Sequence, residues 1–383
     1  MIYLDNAASS WPKPAGVTEA MVRVMNECGA NPGRGSHQMA VQASRILFET
    51  RRKAARLFGV HNPNDISFTL NTTMALNIAI QGFVREGDHV LCTGIEHNSV
   101  RRPLEMLKRN RRVQITYVQT DSTGQIRLED VEKVIQKNTT LIVCSHSSNL
   151  LGTILPVDKI AAIAKKHGIR LLVDAAQTAG CCSIDVEGMG IDMLAFPGHK
   201  ALLGPQGTGG LYIHPDIELN PLLYGGTGGD SENIDQPHIR PDRLEAGTQN
   251  TPGIAGLGAG IDYVLQETVD KIYEKEWMLT QFLMDGLQGI NGIQIIGPKM
   301  GEAKTGIVTF RMHGASSSEI AFMLDRNYQI AVRSGFHCTP LAHEAAGTKD
   351  TGAVRASFGC FNTKEDAQAL VDAMKEIRHH FVK

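Results

Sequence analysis

The sequence predicts an α/β protein, with a large domain built on a mostly parallel sheet over residues 1–255, N-terminal arm included, and a smaller α+β domain over residues 256–383. Three observations predict it. From residue 65 onward, short apolar runs alternate with longer amphipathic stretches, the pattern of parallel strands covered by helices on both faces. Near residue 252 the alternation gives way to one long helical stretch, beyond which strands and helices are interleaved differently. The 383 residues, 42% hydrophobic and 20% charged, are material for two cores and match neither a disordered nor a fibrous composition.

The run ISFTL opens the alternation as a strand, and the amphipathic TTMALNIAIQGFV follows it as a helix whose start, Asn71-Thr72-Thr73, supplies N-capping side chains. HVLCT and VQITYV read as strands on either side of the helical SVRRPLEMLKRN. LEDVEKVIQ leads into TLIVCS, and PVDKIAAIAKKHG leads into IRLLVDA. Both strands are nearly continuous in apolar residues, as strands buried on two faces are. MLAF and GLYI follow with short connections. The stretch from Pro252 to Leu287 is one helical segment that carries the chain from the first domain into the second. There IQII, GIVTFRM, IAVR and VRASF are strands, while SSEIAFMLDR and KEDAQALVDAMKEIRHHF are helices.

Composition also excludes. Lys plus Arg is 38 and Asp plus Glu is 40, a net charge of -2, so no global attraction to nucleic acid or anionic membrane is expected. No run of about 18 apolar residues occurs, and MIYLDNAASS has neither a basic nor an apolar leader segment, which predicts a cytoplasmic protein. The seven cysteines are odd in number and include no C-x-x-C, so reduced thiols and no metal site are expected. No G-x-G-x-x-G follows a first strand, which argues against a dinucleotide-dependent oxidoreductase. The 39 glycines cluster in GPQGTGG and YGGTGGD, where a backbone can approach a ligand closely.

Three features fit a lysine that holds a carbonyl cofactor and an acid that keeps the cofactor's ring nitrogen protonated, the arrangement of a pyridoxal phosphate enzyme. Asp174 ends the apolar strand IRLLV, at the edge where open α/β sheets bind ligands, although an acid there also serves as a cap. Lys200 lies in FPGHKALLGPQGTGG, beside His199 and a glycine-rich turn, where on spacing alone a solvated surface lysine is the more common case. Asn71, Thr72 and Thr73 either cap a helix or use the same free amides and hydroxyls to hold a phosphate.

Ten motifs in order, YLDNAASS, NPGRGSH, TLNTTMALN, GIEHNS, SHSSNLLGT, VDAAQ, GHKALLGPQGTG, RLEAGTQNTPG, VRSGFHCTP and VRASFGCFNT, cover nearly the whole chain. Together they resemble the cysteine desulfurase and selenocysteine lyase family of pyridoxal phosphate enzymes, in the class V aminotransferase lineage. The resemblance implies fold type I and a homodimer. It also implies Lys200 as the Schiff-base lysine, Asp174 as partner of the pyridine nitrogen, and Asn149 and Gln177 beside the phenolic oxygen. His97 corresponds to the histidine stacked on the ring, and Thr72, Thr73 and His199 to phosphate contacts. Thr248 corresponds to a phosphate contact supplied by the other subunit, and Arg355 to the arginine that pairs with the substrate carboxylate, with Asn149 and Arg333 also expected to bind substrate. One departure stands out. The family usually has a hydroxyl residue three positions before the lysine, and this chain has Pro197, which offers no donor, so more of the phosphate's hold falls on the remaining contacts.

Cys338, in AVRSGFHCTPLAH, is the candidate for the second nucleophile that a desulfurase needs, and it matches the family's reactive cysteine loop. It lies in a Gly-, Pro- and His-containing segment near Arg333 and His337, where exposure and positive charge favour a thiolate, whereas Cys92, Cys144, Cys181 and Cys182 lie in or beside apolar stretches. The resemblance implies conversion of L-cysteine to L-alanine, with a persulfide on Cys338 passed to an acceptor protein for sulfur trafficking or iron-sulfur cluster assembly. Selenocysteine lysis, or another class V lyase or aminotransferase reaction, is the alternative. RSGFHC matches the branch with a compact cysteine loop, and Phe336 stands where that branch often has another histidine. The basic stretch from Arg101 to Arg112 reads as a solvated helix face, and the histidines near the C-terminus do not make a metal site.

Overall fold

The computed structural model describes residues 1–33, 35–230 and 232–381; Arg34 of the NPGRGSH motif lies outside them. Strand β1 (Ile2–Tyr3) leads into helices α1 (Ala15–Glu27) and α2 (Gln38–Phe58). The alternation then follows: β2 (Ile66–Thr69), α3 (Thr72–Phe83), β3 (His89–Thr93), α4 (Asn98–Arg111), β4 (Gln114–Val118), α5 (Leu128–Lys133), β5 (Thr139–Ser145), α6 (Val157–Lys166), β6 (Arg170–Asp174), β7 (Met193–Pro197) and β8 (Gly209–Ile213). These strands form a seven-stranded sheet in the order β2-β8-β7-β6-β5-β3-β4, in which β8 runs antiparallel to both neighbours and the other pairs are parallel. One apolar cluster packs on each face of the sheet, which is why its strands read as continuous apolar runs.

Helices α7 (Thr251–Glu267) and α8 (Val269–Gln288) follow. The single helix expected here is divided at Thr268, whose φ of 69° lies in the left-handed region and cannot continue a right-handed helix. The expected boundary at 255/256 falls inside α7. Ile254, Leu257 and Ile261 of that helix join a core face of the large sheet, whereas Leu279, Leu283 and Leu287 of α8 join the C-terminal core. The C-terminal part comprises β9 (Ile293–Ile296), β10 (Ile307–Met312), α9 (Ser317–Tyr328), β11 (Ile330–Ala331), β12 (Arg333–Gly335), α10 (Pro340–Ala345), β13 (Ala353–Ser357) and α11 (Lys364–Phe381). Its antiparallel sheet has the order β12-β13-β10-β9.

The N-terminal arm crosses between the two parts. β1 pairs in parallel with β11, Leu4 is buried in the C-terminal core, and Asp5 bridges Ser357. Farther on, Ser10 N donates to the His199 carbonyl at 2.9 Å and Ser10 Oγ to the Lys200 carbonyl at 2.7 Å, so the arm fastens the turn that carries Lys200.

Candidate active site

Strands β2, β3, β5, β6 and β7 end around one cavity of about 250 Å³. Its wall contains Thr72, Thr73, His97, Asn149, Asp174, Gln177, His199, Lys200, Arg333, Cys338 and Arg355, every predicted site residue except Thr248. Thr248 is exposed on the segment that precedes α7 and does not line the cavity of its own chain.

Lys200 follows the end of β7 on a tight turn, closed by hydrogen bonds from Leu203 N to the Lys200 carbonyl at 2.8 Å and from Gly204 N to the Gly198 carbonyl at 2.7 Å. Gly204 is required here, because a Cβ would stand 2.9 Å from the Gly198 carbonyl and 3.0 Å from Leu257 Cα. Burial pushes the Lys200 amine down to about 8; Arg355 and Arg333 add to the shift and Asp174 opposes it. Asp174 ends β6, and its Oδ1 accepts from Ala176 N at 2.9 Å. Its carboxyl is raised by burial and drawn back by that amide and by the Lys200 charge.

The N-terminus of α3 forms an anion-binding corner. Asn71 Oδ1 accepts from Met74 N at 2.9 Å, capping the helix and leaving the amides of Thr72 and Thr73 turned outward from the helix end. Thr72 Oγ1 and His199 Nδ1 are buried and have no partner among the described residues. Thr73 Oγ1 shares a 2.7 Å hydrogen bond with Ser99 Oγ. Pro197, where a hydroxyl was expected, closes β7 opposite Gly209.

His97 caps α4. Its Nδ1 accepts from Ser99 N at 3.0 Å, so the neutral ring carries its proton on Nε2. Burial, together with Lys200, Arg333, Arg102 and Arg355, pushes its pKa down to about 4. Beneath it, Glu96 is fully buried and accepts from Ser145 N and Ser145 Oγ, both at 2.8 Å, and from Thr93 Oγ1, tying the ends of β3 and β5 together. The sequence carried no signal for this role beyond an acid next to His97.

Arg355, in β13, is 1% exposed. One terminal nitrogen donates to the Asn149 carbonyl and the other to Asp5 Oδ1, both at 2.8 Å, while Nε has no partner among the described residues. Gln177 Nε2 donates to the Ala7 carbonyl at 3.1 Å. Cys338 is exposed, whereas Cys92, Cys144 and Cys181 are buried and Cys182 is half-buried. His337 departs from expectation: it is buried, its pKa is pushed down to about 3 by burial and then by the Arg355 charge, and it brings no positive charge to Cys338. Arg333 is the charge of that segment that lines the cavity.

A family model for class-V aminotransferases matches residues 2–370. The chain belongs to this family. Within it, the likeness is to cysteine desulfurases. A probable cysteine desulfurase of Methanothermobacter thermautotrophicus is 38% identical over 98% of this chain and 94% of its own length. The apo structure of a cysteine desulfurase from Thermococcus onnurineus superposes with a TM-score of 0.93 at 34% identity, covering 99% of this chain and 95% of the other. An S-sulfonic acid form of an Escherichia coli cysteine desulfurase superposes with a TM-score of 0.90 at 26% identity, covering 100% and 95%. The chain is a cysteine desulfurase of the class-V family, and its fold is theirs: a large, mostly parallel sheet with a smaller α+β part.

Proposed function

We propose that this desulfurase takes sulfur from L-cysteine as a persulfide on Cys338, releases L-alanine, and passes the sulfur to an acceptor protein. The observation that carries the proposal is the meeting of Lys200, Asp174, Arg355 and an exposed cysteine on one cavity wall.

The donor set fits pyridoxal phosphate. Thr72 Oγ1 and His199 Nδ1, buried without partners among the described residues, and the open N-terminus of α3 suit a phosphate. The buried Asp174 carboxyl, with one oxygen held by Ala176 N, suits a protonated ring nitrogen, and Lys200 suits an aldehyde carbon. When bound, this cofactor holds an amino acid through its amino group and takes up the electron pair released at Cα.

Lys200 is the proton carrier at Cα, and with its pKa near 8 a useful fraction is free amine at neutral pH. Arg355 receives the substrate carboxylate through the N–H groups that Asn149 and Asp5 leave over. His97 presents its Nε2 proton from a neutral ring. The Cys338 thiolate attacks the substrate sulfur, forming an S–S bond as the Cβ–S bond breaks; a proton delivered to Cβ and the one returned to Cα by Lys200 complete alanine. One cysteine and one enzyme thiol thus give one alanine and one persulfide with no outside oxidant.

A homodimer is part of the proposal: exposed Thr248 is available to a neighbouring copy's cavity, and Trp11, Met25 and Phe48 expose apolar surface on the N-terminal segments. Reduced thiols suit a cytoplasmic setting. The test is alanine and sulfide formation from L-cysteine with a reductant, wild type against Cys338→Ala. Loss of both products in the variant is the expected result, and retention of both at the wild-type rate would overturn the role of Cys338.

A further inference from the structure

We propose that His343, which lies outside the cavity, is a positioning residue that holds the Cys338 thiol in place through a directed hydrogen-bond chain running from Thr348 through His343 and His337 to the Arg333 carbonyl. The proposal rests on Cys338 being the sulfur-accepting thiol.

His337 and Cys338 have φ values of 51° and 58°, two consecutive side-chain-bearing residues in the left-handed region. Such residues stay there only where surrounding contacts impose it. On one side, the main chain is held by the large sheet's loops. Asn149 Nδ2 donates to the His337 carbonyl at 2.7 Å, Asn98 N to the Cys338 carbonyl at 2.9 Å, and Thr339 Oγ1 to the Ile95 carbonyl at 3.2 Å. On the other side, it is held by the imidazole chain.

The direction of that chain follows from its end. The Arg333 carbonyl can only accept, so His337 Nε2, 3.4 Å away, carries the proton of that ring. His337 Nδ1 is then an acceptor and must take a proton from His343 Nε2 at 3.3 Å. His343 Nδ1 in turn accepts from Thr348 Oγ1 at 2.7 Å. With each ring neutral and its proton on Nε2, every link of the chain pairs one donor with one acceptor. Burial favours that state in both rings: it pushes His337, which also faces the Arg355 and Arg333 charges, to about 3, and His343 to about 4 against backbone hydrogen bonds with Thr348 and Phe336 that favour its charged form. A second proton on His337, at Nδ1, would face the proton on His343 Nε2 and set donor against donor.

The test separates two steps in the holoenzyme. Exchange of the Cα proton of L-alanine with deuterated solvent, followed by NMR, needs Lys200 and no thiol; single-turnover removal of sulfur from L-cysteine, followed by rapid quench, needs Cys338 in place. His343→Leu, which keeps bulk and removes the chain, is expected to slow sulfur removal by about tenfold or more, the scale of a displacement near 1 Å, while exchange stays within about twofold. His343→Gln returns a donor toward His337 and is expected to recover most of the loss. Alkylation of Cys338 by iodoacetamide, read by mass spectrometry, should not slow, because the thiol stays exposed. Wild-type sulfur removal in His343→Leu, or an equal fall in exchange, would overturn the proposal. If that variant does not fold, Thr348→Val decides: severalfold slower sulfur removal with unchanged exchange supports the chain, and unchanged rates for both overturn it. A Cys338→Ser enzyme that still removes sulfur would instead sink the assignment of Cys338.

Discussion

Replacing Arg355 by lysine keeps a positive charge in the cavity and removes the guanidinium fork. In the folded chain, Asn149 and Asp5 each take one N–H from the terminal nitrogens, and the buried Nε has no partner among the described residues. A substrate carboxylate can therefore gain two charge-assisted hydrogen bonds, one from Nε and one from a terminal nitrogen, each of about 1.5–3 kcal/mol. A lysine ammonium is a point charge that cannot serve Asn149, Asp5 and the ligand together, so at least one of those bonds is lost. At about 1.4 kcal/mol per factor of ten, kcat/KM for L-cysteine should fall roughly 10- to 150-fold. The loss should fall on KM rather than kcat, because the carboxylate is bound alike before and during the reaction. Spectral titration with cysteamine, which has no carboxylate, supplies the control: its affinity should be the same for wild type and Arg355→Lys. An unchanged kcat/KM for L-cysteine, or an equal loss of cysteamine affinity, would refute the assignment of Arg355 to the carboxylate.

Three further outcomes are expected. Apoenzyme should take up pyridoxal phosphate covalently at a rate that rises with pH through about 8 and levels off above it, because Lys200 becomes free amine there; a rise continuing to the ordinary lysine value, or a borohydride-reducible link in Lys200→Ala, would contradict this. Arg51→Ala strips the buried Glu245 carboxylate of bonds at 2.7 and 3.1 Å, so unfolding in urea should show about 3–5 kcal/mol lost, and a loss below about 1 kcal/mol would mean that the pair is not buried in solution. Asp174→Asn keeps an acceptor for Ala176 N but not the charge; it should fold normally and lose α-proton exchange by about 10- to 100-fold, whereas wild-type exchange would remove Asp174 from the ring nitrogen.

The alternation of runs such as TLIVCS and IRLLVDA was enough to predict the parallel sheet, because strands buried on both faces keep their polar residues to the ends and are apolar in between. Asp174, Lys200, Thr72 and Thr73 were legible in the residues themselves because they stand at or just after strand ends, where the chain leaves the sheet, whereas His97, Asn149, Gln177 and Arg355 were reached through the family resemblance. What was not legible depends on contacts far apart in sequence. IAVR reads as one strand, yet Ile330–Ala331 pairs with the N-terminal arm and Arg333–Gly335 with another sheet. Thr268 breaks a continuous helical pattern without a proline or glycine at the break. Asp5 meets Arg355 across 350 positions. His337 looked like a charge beside Cys338, and only its burial against His343 and the two arginines makes it neutral.

The central claim, that Cys338 takes the sulfur and holds it, is tested most directly by rapid mixing of the holoenzyme with excess L-cysteine in the absence of reductant and acceptor, with alanine counted per active site. Cys338 is the cysteine on the cavity wall, whereas Cys181 and Cys360 border a small adjoining void that shares Lys200 and Gln177 with it. A burst of about one alanine per site, followed by a slow phase, is therefore the expected result, since one thiol stores one sulfur and small thiols remove it slowly. Cys338→Ser should abolish the burst. Linear alanine release with no burst in the wild type, or a full burst retained in Cys338→Ser, would contradict the account.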